Sequence, residues 1–421
     1  MVEPLPPRLE EIEIPHHFHP SSFTALERCA LSVLGERAAR RPRDLLVLHP
    51  TAYLGLVLHH VRAEVSAGRW GAARSAEEAA DSVMQSSLRR MEEDLAATGI
   101  TDALVPLRAA VGRQEWKRRT RTLRNWAAGF QGEGSGGSPR LFSLHPETGA
   151  EPADVDTLGD TGVEQTVVVD ELRLSGRPDL SYETDQTLEI VEYKSGKLFD
   201  SDGVLLEAHR VQVQLYALML EAVSAPGKAL RLYVEQVKRH RVPWSEIHRL
   251  ALLDRLALVN DALPPGEVRD AATLANPGTH CRNCRLRPVC GKYLDTVPQW
   301  WRGGEAHTRP LPLDVWGELA QLTEEKDRHT LRLLDPVGRR VRVDQVSRRH
   351  GTGDLRPGQS VWLFNLEASE DLRRHGEQRH PRNFHEYSPG PRWQTARGLR
   401  LFGSPPSPAA NATIPTRGAG Q

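Results

Sequence analysis

Apolar positions recur at helical spacing early in the chain. Phe23, Leu26, Ala30 and Leu34 lie three to four residues apart, as do Leu54, Leu58 and Val61, which predicts two short, partly buried helices over 21–39 and 51–65. Residues 75–129 continue as predicted helix with acidic and basic positions interspersed, ending at Gly129. The tract GEGSGGSPR that follows is a loop or linker by composition. Beyond it the period shortens to two. Residues 165–174 (QTVVVDELRL), 177–182 and 187–193 (TLEIVEY) are β-branched or alternating runs between turn residues, which predicts three strands in meander order. A helix over 204–223, the strand ALRLYVEQV and a helix near 243–263 complete the segment. Helix, three strands, helix, strand is an order that suits an α/β fold, a mixed sheet with helices packed on it.

Past Trp301 the pattern changes. Short strands are predicted at LRLLDP, RRVRVDQV and QSVWLFNLEA, the last introduced by the turn Arg356-Pro357-Gly358. The domain organisation expected is a flexible, proline-rich segment over 1–20, a large domain over 21–296 with a helical insertion at about 66–130 and a linker at about 131–140, a small C-terminal β domain over 297–403 that can take an OB-like form, and a disordered tail over 404–421.

Charge alters this picture only locally. The 55 basic and 55 acidic residues of the 421 cancel, so the global balance selects no partner class. Two clusters stand out. Residues 113–124 (RQEWKRRTRTLR) hold six cations beside Trp116 and Trp126, and residues 331–421 hold 15 Arg, no Lys and 8 acidic residues with aromatics interleaved. The first, with Arg113, Lys117, Arg118 and Arg121, fits a nucleic-acid backbone track and a solvated helix face equally. The second, with Trp362 and Phe364, fits single-strand binding through phosphate contacts and stacking; a plain β domain docked on its neighbour is the rival. No secretory leader and no membrane-length apolar run is visible, so the expected compartment is cytoplasmic.

The chemistry is carried by a small set. Asp179 lies near the start of one strand and Glu192 and Lys194 at the end of the next. Residues two apart on a strand share a face, and the 13-residue offset is what a hairpin needs to bring both carboxylates to one end. Two hard carboxylates with a nearby ammonium can hold magnesium or manganese, while the lysine positions and helps to deprotonate a water. That is equipment for phosphodiester hydrolysis. Separately, Cys29 and the C-x2-C-x5-C of Cys281, Cys284 and Cys290 supply four thiolates, enough for a tetrahedral zinc or an iron–sulfur cluster. The one-plus-three spacing across the chain suits a cluster joining distant segments better than zinc, and a reducing compartment makes disulfides the weakest reading.

These residues resemble the PD-(D/E)XK nuclease superfamily, whose pattern stands here as Pro178-Asp179 followed by Glu192-Tyr193-Lys194. Gln212 and Tyr216 as Q-x-x-x-Y, and Gly55 and His59 as G-x-x-x-H, resemble its RecB-like branch. The resemblance implies a restriction-endonuclease-like core and a Mg- or Mn-dependent deoxyribonuclease, acting as an exonuclease on single strands or ends. It makes His59, Asp179 and Glu192 the metal ligands, gives Lys194 the water, and gives Gln212 and Tyr216 an orienting role. Gly55 would let its helix approach the sheet closely, and His60 is given no role. The cysteine arrangement resembles the iron–sulfur RecB-like nucleases, the AddB-type repair subunits and CRISPR-associated exonucleases, and implies a 4Fe–4S cluster on Cys29, Cys281, Cys284 and Cys290. No P-loop signature is present, so unwinding of duplex DNA implies a helicase or another repair or defence subunit as partner. The alternative from another class is a non-catalytic DNA-binding subunit that keeps the fold and cluster as a grip.

Overall fold

The computed structural model describes residues 4–39, 44–66, 68–97, 104–130, 140–141, 166–183, 186–223, 228–236, 238–302, 314–326, 328–350, 352–368 and 392–406. The chain divides into two compact units, each assembled from separate stretches. A sheet unit comprises Ile12–Leu34 and Leu48–Arg269, and a barrel unit comprises Met1–Glu11, Gly35–Val47 and Asp270–Gln421.

The sheet unit begins with a strand where a flexible segment was expected. β1 (Ile12–Ile14) alternates Ile-Glu-Ile, which buries both isoleucines and pairs the strand antiparallel with β9 (Gly266–Val268). The first run of helical spacing is two helices, α1 (Phe23–Arg28) and α2 (Leu31–Ala38), because Cys29 between them is extended at φ −163°, ψ 97°. The second run is α3 (Pro50–Ser66). The long helical stretch resolves into α4 (Ala76–Ala97), α5 (Leu107–Val111) and α6 (Arg113–Phe130). The break before α6 falls at Gly112, whose φ of 87° favours glycine. The expected linker lies almost wholly outside the described residues, apart from β2 (Arg140–Leu141) at its end.

The expected strand over 165–174 folds back on itself instead. β3 (Val167–Val169) and β4 (Leu174–Gly176) form a hairpin of their own, turned by a single 3-10 turn at Asp170–Leu172 and by Arg173 at φ 53°. The main sheet has the order β2–β5–β6–β7–β8, with β5 (Leu180–Glu183), β6 (Thr187–Tyr193), β7 (Ala229–Glu235) and β8 (Arg239–Val242). β6 and β7 are parallel and the other neighbours antiparallel. The parallel pair requires a crossover, supplied by α7 (Glu207–Val223). Every α7 residue from Val211 to Leu220 is buried, the mark of a helix covered on all sides. Each buried leucine or valine there contributes about 1.5–3 kcal/mol of burial free energy. α8 (Glu246–Ala262) packs on α7 and leads into β9.

In the barrel unit the cysteine-bearing segment leads into α9 (Gly291–Arg302). Five strands then close a barrel: β10 (Val315–Glu325), β11 (Arg328–Leu334), β12 (Arg340–Ser347), β13 (Gln359–Ala368) and β14 (Arg392–Pro406). Their order is β10–β11–β12–β14–β13, with β12 and β14 parallel. Leu319, Leu331, Val343, Val361 and Leu363 fill the interior. The outward-facing aromatics are also covered: Trp316 and Phe364 are stacked at 6.4 Å, Phe364 meets Phe402 at 6.0 Å, and Tyr293 of α9 lies 6.2 Å from Trp316. Beneath them Asp314 accepts from Arg287 at 2.8 Å and from the Tyr293 hydroxyl at 2.7 Å, all three buried. This shared interior is why residues 270–296, expected with the sheet, belong with the barrel. The expected disordered tail begins inside β14, and 407–421 lie outside the described residues.

Candidate active site

The site forms at the C-terminal end of β6, within the sheet unit. β5 and β6 pair so that Leu180 faces Val191, and one step further along the same register sets Asp179 opposite Glu192. Asp179 is fixed there because its Oδ2 accepts the Tyr193 backbone N–H at 2.7 Å. Glu192 projects into the interior, only 3% exposed. Its Oε1 accepts from Lys194 Nζ and from Gln212 Nε2, each at 2.7 Å, and Lys194 also donates to Gln212 Oε1 at 2.8 Å. The three side chains form a closed triangle. Its other oxygen, Glu192 Oε2, is buried with no hydrogen-bond partner.

Electrostatics sharpen the meaning of that bare oxygen. Burial first, and then the Asp179 charge, push the Glu192 carboxyl up to about 8, against the pull of Lys194 and Gln212. A divalent ion bound beside it would relieve both causes at once. His59, on α3, places Nδ1 3.8 Å from Asp179 Oδ1. His59, Asp179 and Glu192 thus offer one nitrogen and carboxylate oxygens of the hard kind magnesium and manganese take. They are spread more widely than a bound ion would hold them, since among the described residues the three-ligand group whose atoms all lie within 4.8 Å is another, His16, His17 and Asp170.

The flanking helices set the remaining distances. One turn beyond Gln212, the Tyr216 hydroxyl donates to the Arg177 carbonyl at 3.0 Å, tying α7 to the strand approach that carries Asp179. That packing requires glycine at 176, where an added Cβ would lie 2.7 Å from Pro20 Cδ and 3.0 Å from the Tyr216 ring. Gly55 on α3 faces Ser195, whose Oγ would be 3.2 Å from an added Cβ. The Lys194 backbone N–H is held by the Glu235 carbonyl at 2.8 Å.

Several participants were not identified in the sequence. Arg62, one turn beyond His59, is buried, donates to the Gln236 carbonyl at 2.9 Å and lies over the rings of Tyr193 (4.9 Å) and Trp126 (5.2 Å). Burial pulls its pKa down, while the charges of Tyr193, Glu235 and Asp179 favour the cation. Arg119 donates to the Thr51 carbonyl at 3.1 Å, so this cation of α6 anchors α3. A charged residue in step with the buried positions of an otherwise apolar helix was the available signal for Arg62.

The proposed nucleic-acid contacts separate. Arg113, Lys117 and Arg121 are exposed on α6 at four-residue spacing, hence on one face. Arg118 is spent on Glu115, with donors at 2.6 and 2.8 Å; hydrogen bonds from Arg118 and then Arg119 hold Glu115 down to about 2. Trp362 is half-buried. Phe364 must be corrected: it is fully buried between Trp316 and Phe402 and offers no face to a base.

None of the four cysteines is joined in a disulfide. Cys29 is buried in the sheet unit; in the barrel unit Cys281 and Cys290 are buried and Cys284 half-exposed. The Gly278 N–H donates to Cys281 Sγ at 3.4 Å, and Arg287 donates to the Cys284 carbonyl at 3.1 Å. The thiols of Cys281, Cys284 and Cys290 do not all lie within 4.8 Å of one another, whereas zinc with bonds of about 2.3 Å would hold its sulfurs about 3.8 Å apart.

A family model described as the PD-(D/E)XK nuclease superfamily matches residues 17–291, well over half of the 421-residue chain. The chain belongs to that superfamily, whose members are generally nucleases using divalent metals. Comparison with curated proteins finds no match. Among the described residues, no helix is long and apolar enough to cross a membrane.

Proposed function

We propose that the protein is a metal-dependent deoxyribonuclease of the iron–sulfur RecB-like branch, an exonuclease on single-stranded DNA or DNA ends. The observation that carries this reading is the buried Glu192, one oxygen tied by Lys194 and Gln212 and the other left bare opposite Asp179. Magnesium or manganese, held by His59, Asp179 and Glu192, would supply the positive charge that lowers the pKa of a water and neutralises the scissile phosphate. Lys194 orients that water through Nζ and assists its loss of a proton, Gln212 keeps Lys194 and Glu192 in register, and Tyr216 fixes the backbone that presents Asp179.

Two further features support the substrate class. The strand order and the parallel β12–β14 pair agree with an OB-like barrel, a fold that binds single strands, and Trp362 is its half-exposed aromatic candidate. The stripe of Arg113, Lys117 and Arg121 suits a phosphate backbone. Cys29, Cys281, Cys284 and Cys290 are assigned to a 4Fe–4S cluster on their one-plus-three spacing along the chain. A freshly purified brown protein with broad absorbance near about 400 nm and four irons per chain is expected; a colourless, zinc-loaded protein would overturn that assignment. Cysteines grouped as metal ligands suit a cytoplasmic site of action, and a helicase partner would supply single strands.

The deciding assay uses end-labelled single- and double-stranded DNA and RNA, blocked or free at each end, with Mg or Mn and an EDTA control. Release of short products from free DNA ends is expected. Lys194→Ala should abolish cleavage while DNA binding stays within about twofold of wild type, an activated water being worth orders of magnitude in rate; metal-dependent cleavage retained in that variant overturns the reading.

A further inference from the structure

The first residues of the sheet unit are held to the β3–β4 hairpin with more contacts than a chain lead-in needs. Phe18 bridges in parallel to Leu174, its N–H bonding the Arg173 carbonyl at 2.8 Å, and the Ser175 N–H bonds the Phe18 carbonyl at 3.0 Å. The Arg173 side chain completes the clamp. Its guanidinium donates to the carbonyls of Pro15 (3.1 Å) and His16 (3.0 Å), and on its other side to Leu263 (2.8 Å). The backbone at 15–18 is therefore fixed against the turn Asp170–Leu172.

This clamp brings together three ligand types. The His17 Nε2 and Asp170 Oδ1 are 2.7 Å apart, the His16 and His17 rings are 4.8 Å apart, and one ligand atom from each of the three residues lies within 4.8 Å of the others. A tetrahedral ion with bonds of about 2.0–2.1 Å separates its ligands by roughly 3.4 Å, so binding needs the His17–Asp170 pair, 2.7 Å apart, to open and the exposed His16 ring to adjust. His17 is only 25% exposed and its backbone is locked, which lowers the ordering cost of binding.

We propose that His16, His17 and Asp170 form a second metal site, for a borderline divalent transition ion such as zinc or cobalt. Two imidazoles and one carboxylate leave room for a water in the fourth position. The donor set is softer than that of the carboxylate site at Glu192, so magnesium in excess does not compete for it. Its place in the fold gives it a structural purpose: β4 ends three residues before Asp179, and an ion here fastens the strand that leads into that carboxylate.

The test titrates full-length protein, its cysteine site filled, with cobalt(II) in excess magnesium. The expected result is one further equivalent of cobalt, with visible ligand-field absorption and no thiolate-to-metal charge transfer, accompanied by a rise in Tm. Asp170→Asn and His17→Gln each remove that equivalent. His16→Gln, at an exposed position that folding does not depend on, should weaken binding by at least the roughly 10–100-fold that loss of an outer partner costs. Wild-type protein taking up no extra cobalt, or His16→Gln and Asp170→Asn taking up as much as wild type, overturns the proposal and leaves His17–Asp170 as an ion pair only.

Discussion

At the scale of single residues the proposed chemistry turns on Glu192. Burial and the Asp179 charge keep its carboxyl protonated up to about pH 8 in the metal-free protein, so an incoming divalent ion must displace a proton. A carboxyl whose pKa is raised on folding stabilises the native state fully below its ordinary value of 4.5 and loses that contribution as pH climbs through about 8. Metal-free wild type should therefore lose stability relative to Glu192→Gln over this window, with a slope approaching about 1.4 kcal/mol per pH unit. Manganese should recover more of it at the alkaline end. Thermal melts across the range check this, and parallel curves for the two proteins would refute it. The meeting of Asp179, Glu192 and Lys194 follows from a strand's period of two and the hairpin offset, whereas Gln212 entered only through the resemblance to the RecB-like branch. Phe364 was misread because alternation reveals that β13 has two faces, but not that Trp316 and Phe402 cover the outer one.

At the scale of elements, α3, α6 and α7 decide what the sheet can do. α7 was expected as a helix over 204–223 and forms over Glu207–Val223, and its burial on all sides shows only in the fold. β10 does not: ELAQLTEE is composed of helix formers, and the ladders to β11 and β13 override that local preference. Within 165–174 the β-branched run is real, but the 3-10 turn at Asp170 and the left-handed Arg173 reverse it, a tertiary outcome that no period announces. α6 carries the element-scale prediction. If Arg113, Lys117 and Arg121 follow a DNA strand, replacing all three with alanine should reduce the slope of log affinity against log salt by about 2, at about 0.7 for each single-strand phosphate contact. The substrate KM should rise and kcat stay near wild type. An unchanged salt slope would mark the stripe as a solvated face.

At the scale of the whole molecule, the barrel unit depends on a buried charge pair. Arg287 and Asp314 are 2% and 0% exposed, and Asp314 also accepts from Tyr293 and from the Asn365 backbone. Asp314→Asn leaves the guanidinium buried without its counter-charge and should cost about 3–5 kcal/mol; the double replacement Arg287→Met with Asp314→Leu should cost much less. Chemical denaturation of the three proteins measures the difference, and an equal loss in single and double variants would contradict it. No sequence motif announces this pair, because its partners are 27 residues apart and meet only after the barrel has closed. The interleaving of the two units bears on how the protein is made. Synthesis delivers Met1–Glu11 and Gly35–Val47 first, yet their unit is completed only from Asp270 onward. The bonds from Leu9 to Val289 and from Leu46 to Arg285 join segments far apart in the chain. On the ribosome the sheet unit can finish at Arg269 while these two segments still await the partners that follow Asp270.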